Sequence, residues 1–568
     1  MAITGGLAGL VVGSASYWLY FHRVEVHMYG LRILNTILGS SLVLAVTLAK
    51  AYSYSLSDAI STTFTVTTAF LVGVFANCLY FRLFLNPLNK FPGPFPARIT
   101  SMWWPTQLGN SDGYYWLQNQ HKKHGKIVRV GSNDISVIDP DIMEMAYGPK
   151  SRVTKANWYD NDYPLTSMHT TRDKGLHDRR RRVWAPAFSD KALRDYEIEI
   201  QKFNDKLVQK LAEHNGGPAN VTKWFNLFSF DAMGLLAFGR DYGMLDKGEK
   251  PHELEMLDEG MQPLAFRLPS WFFRILTSIP GLSAGYQKFV NFCISELTWR
   301  VKNEGKTKRE NDIMGWLLKA YKDVKNPEKD TMLQADARLI IVAGSDTTAG
   351  TLTCLHYYIA KDKEVQRKLR EELDPLMQGD WSEANIRGAN YLNGCINEAL
   401  RLHPPVPSGL NRLTPSEGLT VNGVYIPGNV TFFTPQYVMG RGELPLPPPL
   451  PPLLSALSLF LSPKLTISHF LDPSIYAEPD SFIPERWYSQ GEKIKHKDAF
   501  APFSMGPMGC IGKNLAMMEL RTLTAKLITR FDMKLAPHED GSRLMTKTKD
   551  HFTVDLGDVE ICFDERER

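Results

Sequence analysis

The chain has 568 residues, 43% of them apolar, and 65 Lys and Arg against 61 Asp and Glu give a formal net charge of +4. That length suits one large catalytic domain with an appendage, and so small a charge, with no Lys/Arg stripe interleaved with aromatics, excludes a nucleic-acid-binding surface. Six cysteines (Cys78, Cys293, Cys354, Cys395, Cys510 and Cys562) stand far apart without a C-x-x-C pair, which argues against a disulfide framework and against a structural zinc site.

Three apolar stretches open the chain, at residues 2–21, 33–49 and 59–81. Spanning hydrocarbon takes about 20 apolar residues, so the third is the strongest span and the second, edged by Arg32 and Lys50, the weakest. The first lacks the basic start of a cleaved signal peptide and reads as a retained anchor. Arg23 and Arg32 follow the first stretch, and Arg82 and Lys90 follow the third, whereas the middle loop sets Lys50 against Asp58. The positive-inside rule then places the N-terminus outside the cytosol and the bulk of the chain within it. Residues 1–85 are therefore expected to be a membrane anchor of up to three transmembrane helices. Residues 86–97, with Pro92, Gly93, Pro94 and Pro96, form a stiff hinge through which no helix runs, and 98–568 form the catalytic domain.

Within that domain, 126–139 alternates apolar and polar residues and predicts a strand pair around a turn at 131–134. Long helices are predicted at 190–213, 331–360 and 362–373, and strands at 419–426 and 430–433, with turns at Gly423 and Pro427-Gly428. The result is a mostly α (α+β) domain without internal repeats. Residues 442–471 break the pattern: GELPLPPPLPPLLSALSLFLSPKLTISHFL is proline-dense, then apolar, with neither helical nor strand register. It reads either as a proline-rich ligand segment or as a retained intron, since its ends can be written with splice-site codons in frame. Excision would join Arg441 to Asp472.

The chemistry concentrates in 503–516, FSMGPMGCIGKNLA, where Cys510 sits in a glycine-rich turn before a helical run. The positive end of a helix favours a thiolate, and glycines let backbone N–H groups approach the sulfur and tune it as a metal ligand. Upstream, Ala343-Gly344-Ser345-Asp346-Thr347-Thr348 interrupts an apolar helix with groups that are costly there unless paired. Glu398 and Arg401 are spaced i, i+3 and can pair on a helix. His177 and Arg181 are spaced i, i+4 beside a run of four arginines, of which Arg179 and Arg180 read as a solvated face.

The cysteine segment resembles the haem-binding signature of the cytochrome P450 family, F-x-x-G-x-R-x-C-x-G, matched by Phe503, Gly506, Cys510 and Gly512, with Met508 where the family has arginine. A propionate salt bridge is thereby lost, and other donors must replace it. The other motifs follow in the family's order over roughly residues 90 to 560. The resemblance implies a cytochrome P450 fold holding haem b (iron protoporphyrin IX) on Cys510, with Asp346 and Thr347 relaying protons to dioxygen. It makes His177, Arg181 and Arg412 propionate contacts, and Glu398, Arg401 and Arg486 (the last in Phe482-Ile483-Pro484-Glu485-Arg486-Trp487) a structural triad behind the haem. It further implies monooxygenation of a lipophilic small molecule with electrons from NADPH through a separate membrane-bound NADPH-cytochrome P450 reductase, at the endoplasmic reticulum membrane. Segments such as HDRRRRVWAPAFSDKALRDYE resemble fungal enzymes of secondary metabolism. Substrate contacts are expected from 158–171, from 266–279 and near Ala343, with Phe266, Trp271, Phe272 and Phe273 dipping into the bilayer. Two other readings keep the cysteine: a haem-thiolate isomerase or dehydratase needing no electron source, and an inactive haem-binding protein from a faulty gene model.

Overall fold

The computed structural model describes residues 2–109, 111–249, 265–279, 281–307, 309–442 and 475–566. The insertion expected at 442–471 thus lies outside the described residues except for Gly442.

Three helices lead: α1 (Ala2–Ser16), α2 (Gly30–Ala51) and α3 (Leu56–Tyr80). The helical stretches 27–51 and 56–90 are long and apolar enough to cross a membrane, so the stretch ranked weakest by sequence qualifies beside the third; its flanking charges sit at the ends, not within. Helices α1 and α3 run parallel in direct contact, and α2 packs against α3. Gly5, Gly9 and Gly13 recur every fourth residue on α1, and a Cβ on Gly13 would collide with the Phe70 carbonyl, as one on Gly73 would with that of Leu10. Small residues at this spacing let apolar helices touch backbone to backbone. Asn77 adds polar contacts, donating to Ser14 Oγ at 2.9 Å and accepting from Trp18 Nε1 at 2.8 Å.

The proline-rich stretch is less of a free hinge than its composition suggests. A short helix at Phe95–Ile99 begins inside it, because Pro96 falls in the first turn, where proline is tolerated. Leu88, Phe91 and Ala97 are buried, and Arg129 N donates to the Pro92 carbonyl at 2.7 Å, which sews the stretch onto the catalytic domain.

Five strands form the main sheet: β1 (Ile127–Arg129), β2 (Asp134–Val137), β3 (Thr154–Lys155), β4 (Arg412–Leu413) and β5 (Thr431–Phe433), in spatial order β1-β2-β5-β4-β3. Only β2 and β5 pair parallel. The predicted strands at 419–426 form a separate hairpin, Leu419–Val421 with Val424–Ile426. One core packs around the sheet and a larger one around the helices. The helices that build the site are α4 (Lys174–Trp184), α5 (Asp190–Ala212), α6 (Val221–Phe238), α7 (Ser270–Thr277), α8 (Ala284–Lys302), α9 (Thr331–Lys361), α10 (Asn390–Leu402) and α11 (Lys513–Arg530). Helix α9 starts where Asp330 accepts from Leu333 N at 2.8 Å, and it packs against α6, α8, α10 and α11.

Candidate active site

A cavity lies between the two cores, with α9 on one wall and the loop before α11 on the other. That loop closes on itself: Cys510 N donates to the Phe503 carbonyl at 2.8 Å and Gly509 N to that of Gly506 at 3.0 Å. Gly506 is required at φ +61°, where a Cβ would strike the Tyr147 carbonyl. Cys510 ends the loop with its side chain exposed and on the cavity wall. Burial pushes its thiol up, against the backbone N–H groups of Gly512 and Lys513 and the charge of Arg181, which favour the anion. A Cβ on Gly512 would lie 3.9 Å from the sulfur, so the space over it is kept by the absence of a side chain. Phe503, Gly512 and Met508 also line the cavity.

On the opposite wall Ala343, Gly344, Thr347 and Thr348 of α9 face the cavity. Thr347 Oγ1 donates to the Ala343 carbonyl at 2.9 Å and Thr553 Oγ1 to Asp346 Oδ2 at 3.4 Å, while the buried Ser345 hydroxyl finds no partner among the described residues. Glu519 of α11 was not singled out from sequence. It is fully buried beside Thr348, lines the cavity, and is pushed up by burial to about 8.

His177, Arg181 and Arg412 all line the cavity. His177 lies against Asp178 at 2.9 Å, and Arg181 donates to the Gly509 carbonyl at 2.7 Å, reaching the cysteine loop directly. Arg412 receives the Tyr147 ring at 5.1 Å and donates to Tyr159 Oη at 3.1 Å. Directly across the β3–β4 pair stands Lys155, another residue missed by sequence reading. Like charges opposite each other on two strands are destabilising, and neither cation has a carboxylate partner among the described residues. Burial, then Arg412, pulls Lys155 down to about 7. Lys155 Nζ donates to the carbonyls of Met168 at 3.1 Å and His169 at 2.6 Å, and two buried cations without a carboxylate fit the carboxylates of haem.

Behind the cysteine loop, Glu398 is fully buried and accepts from Arg401 Nε at 2.9 Å, Arg401 Nη2 at 2.7 Å, Arg486 Nε at 2.8 Å, Ile483 N at 3.0 Å and Trp487 Nε1 at 2.9 Å. The three residues named from sequence are thus one cluster outside the cavity.

Two expectations are corrected. Arg180 is not solvated: it is buried, paired with Asp336, and donates to Tyr321 Oη at 3.0 Å, while Trp184 Nε1 adds a bond to Asp336 at 2.9 Å. Arg179 is exposed, as read. None of the described part of 266–279 lines the cavity; Tyr286 and Phe289 of α8 do so instead. Phe273 is buried, leaving Phe266 and Trp271 as the strongly exposed rings of that group. The loop 158–171 behaves as expected, with Trp158, Tyr159, Asp162, Met168 and His169 on the cavity wall.

The family model "Cytochrome P450" matches residues 92–444 and 465–563, and the interruption falls inside the proline-rich insertion. Cytochrome P450 monooxygenase lcsK of Purpureocillium lilacinum is 38% identical over 98% of this chain and 98% of its own length. Tryprostatin B 6-hydroxylase of Aspergillus fumigatus is 37% identical over 98% and 96%, and cytochrome P450 monooxygenase notG' of Aspergillus versicolor 36% over 99% and 97%. A cysteine open to a cavity under a distal helix, a family match across the catalytic domain and relatives alike from end to end lead to one statement: this chain belongs to the cytochrome P450 family and is a haem-thiolate monooxygenase.

Proposed function

We propose that Cys510 Sγ would hold the iron of haem b, that Lys155, His177, Arg181 and Arg412 would hold its propionates, and that the enzyme oxygenates a lipophilic secondary metabolite. The observation that carries this is the Cys510 sulfur, fed by two backbone N–H groups and open to a cavity whose far wall carries Ala343, Gly344, Thr347 and Thr348. Bound haem supplies dioxygen activation and the oxidising power for inserting oxygen into the substrate.

The protein supplies geometry and protons. Ala343 keeps the cavity wall small, Met233 fills the place a side chain on Gly344 would take, and the Thr347 hydroxyl can turn from the Ala343 carbonyl to donate into the cavity. Asp346, bonded to Thr553 at the cavity edge, is the acid that reloads it. Trp158, Phe289, Leu339, Val342 and Phe552 give an apolar, ring-rich wall that excludes water and suits an aromatic or terpenoid-like substrate. Relatives named for hydroxylating tryprostatin B agree with that class. Electrons come from a separate NADPH-cytochrome P450 reductase. The apolar helices hold the enzyme at the endoplasmic reticulum membrane through three spans, with the catalytic domain in the cytosol; the parallel run of α1 and α3 supports an odd number of crossings.

The test is Cys510→Ser. Reduced wild-type protein with carbon monoxide is expected to absorb near ~450 nm, and the variant to lose that band together with NADPH-driven, reductase-dependent turnover. Unchanged haem loading, spectrum and turnover in the variant would overturn the assignment.

A further inference from the structure

The link between α1 and α2 is short and charged, His22-Arg23-Val24-Glu25-Val26-His27. It does not hang free. Arg172 Nη1 and Nη2 donate to the Glu25 carboxylate at 2.9 and 3.1 Å, and Nη1 also reaches Asp160 Oδ2 at 2.7 Å. His27 Nε2 meets the same Asp160 oxygen at 2.8 Å, although the two residues are 133 positions apart. His27 is buried. Helix α7 closes the arrangement from the side: Ser270 Oγ donates to the Asn157 carbonyl at 3.1 Å and Arg274 Nη1 to that of Asp160 at 2.9 Å. Gly30, at the start of α2, faces Trp271 and Ile275 of α7.

Asp160 belongs to the short 3-10 helix Asn157–Asp162, whose inner side carries Trp158, Tyr159 and Asp162 on the cavity wall. Asp162 is tied inward by Arg338 and by Tyr286 Oη at 2.6 Å. The same turn is therefore held from inside by α8 and α9 and from outside by the membrane segment. Burial would raise the Asp160 carboxyl, but the bonds from His27 and Arg172 outweigh it and keep the group below its ordinary value.

We infer that Glu25 and His27 are positioning residues of the active site: through Arg172 and Asp160 they fix the turn that presents Trp158 and Tyr159 to the substrate. The inference rests on the cavity being the haem and substrate site, as proposed above. The contact also requires the α1–α2 link to lie on the catalytic side of the bilayer, so that α2 and α3 cross as a pair.

The experiment uses full-length enzyme in phosphatidylcholine nanodiscs and compares Glu25→Gln/His27→Gln with the conservative Glu25→Asp. Hydrogen exchange at the amides of 157–163, which needs no haem, is expected to be about tenfold faster in the double variant. The dissociation constant of clotrimazole, an azole that shifts the haem Soret band, is expected to change about threefold or more. Glu25→Asp should stay near wild type in both, and the carbon monoxide band should be kept throughout. Unchanged exchange in the double variant overturns the clasp; faster exchange with unchanged clotrimazole affinity overturns its role at the active site. Absence of any Soret shift in the unaltered enzyme tells instead against the haem reading, while the exchange rates still judge the clasp.

Discussion

Glu398→Gln tests the cluster behind the cysteine loop. Glu398 is the one carboxylate between the Arg401 and Arg486 guanidiniums, and all three side chains are fully shielded from water. Neutralising it leaves two buried positive charges facing an amide that must turn N–H groups toward donors, and Ile483 N and Trp487 Nε1 lose their share of the acceptor. Breaking a buried ion pair from one side costs ~3–5 kcal/mol, and with two arginines on one carboxylate the upper part of that range applies. An unfolding entropy of ~2.1 cal/mol/K per residue gives about 1 kcal/mol/K for a domain of roughly 470 residues, so melting should fall by about 4–5 °C. The assay is thermal unfolding followed by circular dichroism, alongside the carbon monoxide spectrum. Because the cluster touches neither cavity nor substrate, the fraction that keeps its haem should turn over normally. Melting within about 1 °C of wild type with full haem retention would refute the reasoning, as would an intact fold with a collapsed turnover number.

Three further outcomes follow from the same geometry. Lys155→Met should speed haem transfer to apomyoglobin, and Met508→Arg should slow it, if Lys155 carries the charge that position 508 lacks; equal rates in all three proteins would refute that exchange of roles. Between pH 4.5 and about 8 the folded chain keeps a proton on Glu519 that the unfolded chain has released, so stability falls across this window and levels off above it. Glu519→Gln should flatten that fall in urea titrations at pH 5, 7 and 8.5, and an unchanged slope would show that burial does not hold the proton there. Finally, a chain lacking 442–471 should fold and bind haem: a Cβ on Gly442 would lie only 3.0 Å from Ile475 N, so the chain leaves and returns at one spot, and the three residues from Asp472 suffice to close it. Sequencing the spliced transcript checks whether the natural protein has this form, and a message that still encodes the prolines would refute the intron reading.

Cys510, Glu398, Arg401 and Arg486 were legible through motifs that resemble the family's and follow in its order, not through local spacing, since Arg486 stands 88 residues from Glu398. The strand pair at 127–137 and the long helix α9 were equally plain from periodicity. What could not be read depends on pairings across long stretches of chain. Arg180 was read with Arg179 as a solvated face because Asp336, its partner, is 156 residues away. Lys155 gained meaning only when β3 was seen beside β4, with Arg412 opposite. Residues 266–279 were assigned to the cavity as an apolar stretch, but its side chains go to the outer face and to the N-terminal helix α2. Glu519 lay unnoticed in an ordinary-looking amphipathic run, since nothing in the sequence near it announces full burial.

The glycine seam between α1 and α3 bears on how a shortened enzyme should be made. Cutting away the first twenty residues strips Ser14 and Trp18 from Asn77, leaving its Oδ1 uncovered, its Nδ2 with the Gly73 carbonyl, and a notch of bare backbone at Gly73. A truncation that preserves α3 therefore trades one soluble-expression problem for another, whereas a start at Asn86 removes notch and amide together, at the expense of the Glu25–Arg172 contact.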